Sequence, residues 1–79
     1  MSSSPDAAGP RAVIVHHVPI QLSQFIKFAG LAESGGQAKQ AVVDGGVQVN
    51  GTAETRKGRQ LLAGDRVTIA GQTLVVQLG

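Results

Sequence analysis

The stretch Ala32–Gly51, AESGGQAKQAVVDGGVQVNG, constrains the fold more than any other part of the chain. Ser34 is placed to cap a helix, and Gln37, three residues on, can reach back to close a capping box. Ala38, Ala41 and Val42 follow at the i, i+3, i+4 spacing of one buried helix face. Gly45 and Gly46 supply the left-handed exit that a helix C-terminus favours. Val47 and Val49 alternate with Gln48 and Asn50 as on a half-buried strand, and Asn50-Gly51 is a strong hairpin signal. A capped helix, a glycine stop, a short strand and a tight turn are therefore expected in succession.

The flanking sequence extends this pattern. Residues Met1 to Arg11 are rich in Ser, Ala, Pro and Gly without periodicity, which predicts a disordered tail over 1–11 and a single folded domain over 12–79. Ala12 to Val18 is β-branched and strand-like, and Pro19 confines it to an edge or an end. Leu22, Phe25, Ile26 and Ala29 form a helical stripe, closed by Gly30 with Leu31 folding back on Ile26. The short link to Ser34 predicts a helix-turn-helix-like corner. Thr52 to Gln60 reads as a polar connection, Leu61-Leu62 as a return to the core, and Ala63-Gly64-Asp65 as a turn. Val67 and Ile69, a turn at Gly71-Gln72, and Leu74 to Leu78 predict a closing hairpin. The expected fold class is α+β: two short helices packed on a small, mostly antiparallel sheet.

Composition narrows the function classes. The chain has 79 residues and no cysteine, which removes disulfides and thiolate metal sites. A net charge of +2 admits an anionic partner without making the chain a polycation. No apolar run approaches the roughly 18 residues of a membrane span, and no signal-peptide pattern opens the sequence, so a soluble, cytoplasmic monomer is expected. His16-His17 would point to opposite strand faces and cannot chelate one ion together. Asp44 and Asp65 look structural, and Glu33 and Glu54 show no paired-carboxylate logic. With no nucleophile–base set and no phosphate loop of the Walker type, neither an enzyme nor a cofactor is expected.

The run FIKFAGLAESGGQAKQAVVDGGVQVNGTAETRKGRQLLAGDRVTI resembles the S4-type RNA-binding domain, or alpha-L motif. The residues that carry the likeness are Gly30-Leu31, Ser34, Ala38-Lys39, Gly46-Val47-Gln48-Val49-Asn50-Gly51 and Gly64-Asp65. The chain is most similar to the small stand-alone bacterial members, which share the runs found here at Ser34 to Lys39 and Glu54 to Lys57. The resemblance implies binding of structured RNA, ribosomal or transfer, in connection with the ribosome or its assembly particles, through a surface made by the second helix and the adjacent loop. Ser34, Gly35, Gly36 and Gln37 would seat a phosphate at the helix N-terminus, with Lys39 and Gln40 on the helix flank and Arg56, Lys57 and Arg59 on the loop. Many members carry cations where this chain has Gly35 and Gln40, so most of the charge is expected from Arg56 to Arg59. Phe25 is expected in the core and Phe28 against a neighbouring strand, which leaves no aromatic platform for stacking. Two rival classes are a protein-interaction module with little RNA affinity and a ubiquitin-like sulfur carrier. The second needs a flexible Gly-Gly end, where this chain has Gln77-Leu78-Gly79.

Overall fold

The structure, a computed structural model, describes residues 10–56 and 58–79. Its elements run β1 (Arg11–Val15), β2 (Ile20–Gln21), α1 (Leu22–Phe28), α2 (Gly35–Val43), β3 (Val47–Val49), β4 (Thr52–Ala53), β5 (Gln60–Leu61), β6 (Arg66–Ile69) and β7 (Gln72–Leu78). Strands β1, β7, β6, β3 and β4 form one sheet in that spatial order, and β2 and β5 form a second, two-stranded one. All pairings are antiparallel except β1 with β7. This is the expected α+β architecture.

Both helices end by the same device. Gly30, at φ +83°, donates to Lys27 O at 3.0 Å while Leu31 N–H reaches Ile26 O at 3.1 Å. Gly45, at φ +84°, donates to Val42 O at 3.0 Å, and Gly46 N–H reaches Ala41 O at 3.2 Å. These are two Schellman motifs, each using a glycine where a Cβ would be strained. The box at α2 is wider than expected: Ser34 Oγ accepts from Gln37 N–H at 3.2 Å, but Gln37 Oε1 accepts from Glu33 N–H at 2.8 Å rather than from that of Ser34. Helix α1 has no side-chain cap, and Leu22 N–H donates to Arg59 O at 2.7 Å.

Period-2 alternation turns Val13, Val15, Val47, Val49, Val67, Ile69, Leu74 and Val76 to one sheet face. Leu22, Phe25 and Ile26 of α1 and Ala38 and Val42 of α2 pack onto that face. Asn50-Gly51 forms the expected two-residue turn, with Val49 opposite Thr52 and both turn residues at positive φ.

Several boundaries differ from the sequence expectation. The first strand stops at Val15 because its partner β7 ends at Leu78, so His16 and His17 lie beyond the ladder. Arg11, counted with the tail, opens β1 and donates to Ala29 O at 3.3 Å, while residues 1–9 lie outside the described residues. The last hairpin turns at Ala70-Gly71 rather than Gly71-Gln72, with Ile69 opposite Gln72. A slip of one residue would turn Val67 and Ile69 outward, so the register prevails over the cost of about 1–2 kcal/mol for Ala70 at φ +53°. Of Leu61-Leu62 only Leu61 is buried; Leu62 lies just past the end of β5 and is exposed.

Asn50 and Asp65 join the β3–β4 turn to the turn that leads from β5 into β6. Asn50 Nδ2 donates to Asp65 Oδ1 at 3.2 Å, and Arg66 N–H donates to Asn50 Oδ1 at 3.0 Å. The other Asp65 oxygen accepts from Leu62 N–H at 2.9 Å. Asp65 is thus structural, as its turn position suggests.

Candidate nucleic-acid interface

Residues with opposite fates share helix α1. Its apolar stripe enters the core, while Gln24, Lys27 and Phe28 repeat the i, i+3, i+4 spacing on the exposed side. Beside that side lie His16 and His17, on the segment between β1 and β2, and Gly35 and Lys39 of α2. Together these residues line a groove of about 460 Å³. Among the described residues, no Asp or Glu contributes to its lining.

The expected site residues divide between this groove and the loop after β4. Gly35 and Lys39 line the groove; Gly36 is exposed, and a Cβ at Gly35 would meet nothing within 4 Å. Ser34 and Gln37 hold the capping bonds, so the Gln37 N–H is already taken and the first-turn donors that remain belong to the glycines. Gln40 Nε2 donates to Asp44 Oδ1 at 2.8 Å, which ties that side chain to the helix C-terminus. Lys57 lies outside the described residues.

Arg56 and Arg59 meet at a carboxylate that the sequence reading left without a role. Glu54 is buried, and its Oε2 accepts from Arg56 Nε at 2.9 Å and from Arg56 N–H at 3.0 Å. Its Oε1 accepts from Arg56 Nη2 at 3.1 Å and from Arg59 Nη1 at 2.8 Å. The fork of Arg56 is bidentate, the stronger geometry for such a pair. One buried negative charge therefore offsets part of the loop's positive charge. It also orients both guanidiniums, and the Arg56 side chain remains 74% exposed.

Hydrogen bonding from the Arg56 side chain, then from its N–H and from Arg59, lowers the Glu54 pKa from 4.5 to about 2. A carboxyl that ionises more readily in the folded chain adds stability above the unfolded pKa, and this stability is lost as pH falls through the folded one. Wild-type stability is therefore expected to decline from about pH 4.5 toward pH 2. Glu54→Gln should be less stable at neutral pH and should flatten that part of the decline. Urea unfolding of both proteins from pH 6 to pH 2 checks this, and parallel curves would remove Glu54 as the cause.

Sequence reasoning does not bring His16, His17, Lys27 or Phe28 to this groove. The sequence pattern puts the histidines on a strand and Phe28 at a packed position, yet Phe28 is 54% exposed on the groove. The Gln24, Lys27, Phe28 spacing was the available signal. The S4 domain family model matches residues 13–77.

The chain belongs to the S4 domain family. It is 42% identical over 60 residues to the "Putative RNA-binding protein YbcJ" of Escherichia coli (strain K12), covering 76% of this chain and 86% of that protein. It is 44% identical over 52 residues to the "Probable ribosome maturation protein RlbA" of Bacillus subtilis (strain 168), covering 66% and 73%. The solution structure of E. coli YbcJ, described as revealing an alfaL motif involved in RNA-binding, superposes with a TM-score of 0.67 at 35% identity. That match covers 98% of this chain and 94% of the other. S4 membership removes the sulfur-carrier alternative. Neither relative's name describes an enzyme, in agreement with the sequence expectation of a non-catalytic chain.

Proposed function

We propose that this S4 domain is a non-catalytic RNA-binding module that holds structured RNA by its phosphates and shape, in the cytoplasm and in connection with the ribosome or its assembly particles. The observation that carries the reading is the groove between α1 and α2, which gathers Lys27 and Lys39 and, among the described residues, no acidic one in its lining. The Glu54-oriented Arg56 adds an exposed guanidinium on the loop. The name of the E. coli relative supports RNA as the anion, and that of the B. subtilis relative supports a connection with the ribosome.

Phosphate contacts release counterions, so affinity must fall as salt rises. With about three or four phosphates engaged, log K against log salt should have a slope on the order of −2 to −4. Fluorescence anisotropy with a structured ribosomal RNA fragment and with transfer RNA, between 50 and 300 mM KCl, measures it. A flat line for both RNAs overturns the reading. Crosslinking and sequencing of RNA from cells then separates the two classes.

A further inference from the structure

The exposed Phe28 ring makes the groove unlike a plain cationic patch. Lysines alone would suffice to hold phosphates, and an aromatic ring half in solvent adds nothing to that contact. Its neighbours in the lining are chemically apt for a base: His16, His17 and Gln24 carry donors and acceptors, and Lys27 and Lys39 carry charge. A volume of about 460 Å³ lies within the range of about 300–1,000 Å³ usual for sites that enclose a small planar group. Paired bases of an A-form helix cannot enter such a concavity, because their edges lie in a shallow minor groove or a deep, narrow major groove. Unpaired bases can be splayed out and stacked on an aromatic ring.

We propose that the groove between α1 and α2 receives one unpaired base of the RNA, stacked on Phe28, while Lys27 and Lys39 hold the phosphates that flank it. This rests on the RNA-binding reading above and adds to it a preference for bulges and loops over continuous duplex. Among the described residues, none in the lining next to the ring carries a competing negative charge. Stacking tolerates any base, so the preference is for an unpaired position rather than for a sequence.

The test uses the full chain and two synthetic RNA hairpins, identical except that one carries a single unpaired 2-aminopurine in its stem. Wild type should bind the bulged hairpin on the order of tenfold more tightly and quench the 2-aminopurine fluorescence. Phe28→Ala should lower affinity for the bulged hairpin about tenfold and bring the ratio of the two affinities toward one. Phe28→Tyr should keep both the ratio and the quenching, and Leu62→Ala, an exposed apolar change outside the groove, should leave the ratio intact. Circular dichroism melting establishes that each variant is folded. Equal, salt-dependent binding of both hairpins by wild type overturns the unpaired-base inference and leaves RNA binding standing. Binding of neither hairpin, at any salt, overturns both.

Discussion

Lys27→Ala combined with Lys39→Ala is expected to weaken RNA binding about 20- to 60-fold at 0.1 M salt. Each phosphate contact contributes about 0.7–0.9 to the slope of log K against log salt, so two contacts over the decade from 1 M to 0.1 M account for ~1.4–1.8 in log K. The salt slope of the double variant should be shallower by the same amount. Both lysines line the groove, and among the described residues neither forms a salt bridge. Arg56→Ala should cost less affinity than the lysine pair. Its guanidinium is already bonded to Glu54, and a phosphate must share it with that carboxylate. Anisotropy titrations of wild type, the lysine double variant and Arg56→Ala rank the contributions. A larger loss for Arg56→Ala would return the centre of the interface to the loop, where the sequence reading put most of the charge.

Phe25→Ala should destabilise the domain by about 3–5 kcal/mol, a large share of its stability. A chain of 79 residues has only ~4–12 kcal/mol between folded and unfolded states. Phe25 is fully buried and is the largest side chain at the junction of helices and sheet. Its removal loses the transfer free energy of the ring and leaves a cavity that so small a core closes only in part. Phe28→Ala, on the exposed side of the same helix, should change stability by only about 0.5 kcal/mol either way. Thermal and urea unfolding of the two variants makes the comparison. Phe25→Ala melting together with wild type would mean that the core lies elsewhere. The chain's two aromatic residues thus have separate duties, one in folding and one, on the reading proposed above, in binding.

The parts of the fold that could be read in advance depend on neighbours a few residues apart. Ser34 and Gln37, Gly30 with Lys27, Gly45 with Val42, and Asn50-Gly51 each satisfy backbone groups within one or two turns of chain, so residue type and spacing are sufficient. Two local details moved, each by a single residue: the Gln37 side chain bonds to Glu33 N–H, and the last turn falls at Ala70-Gly71.

The candidate site is another matter. Val15 ends its strand because β7 ends at Leu78, far along the chain, and that frees His16 and His17 to border the helices. Pairing of β2 with β5 brings Arg59 O to the first turn of α1 and so determines where the arginine loop lies. The Glu54 clasp was hidden because a glutamate beside arginines reads as ordinary surface charge until burial shows that it has left water. Sequence by itself determined the α+β class, the helical corner, the Ser34 cap, the glycine stops and the Asn50-Gly51 turn, since these are settled by short-range hydrogen bonding and by hydrophobic period. Only the tertiary structure decided which cations stay available and which aromatic faces solvent. Charge neutralisation and exposure depend on which distant segments come together in three dimensions, and spacing along the chain does not encode that.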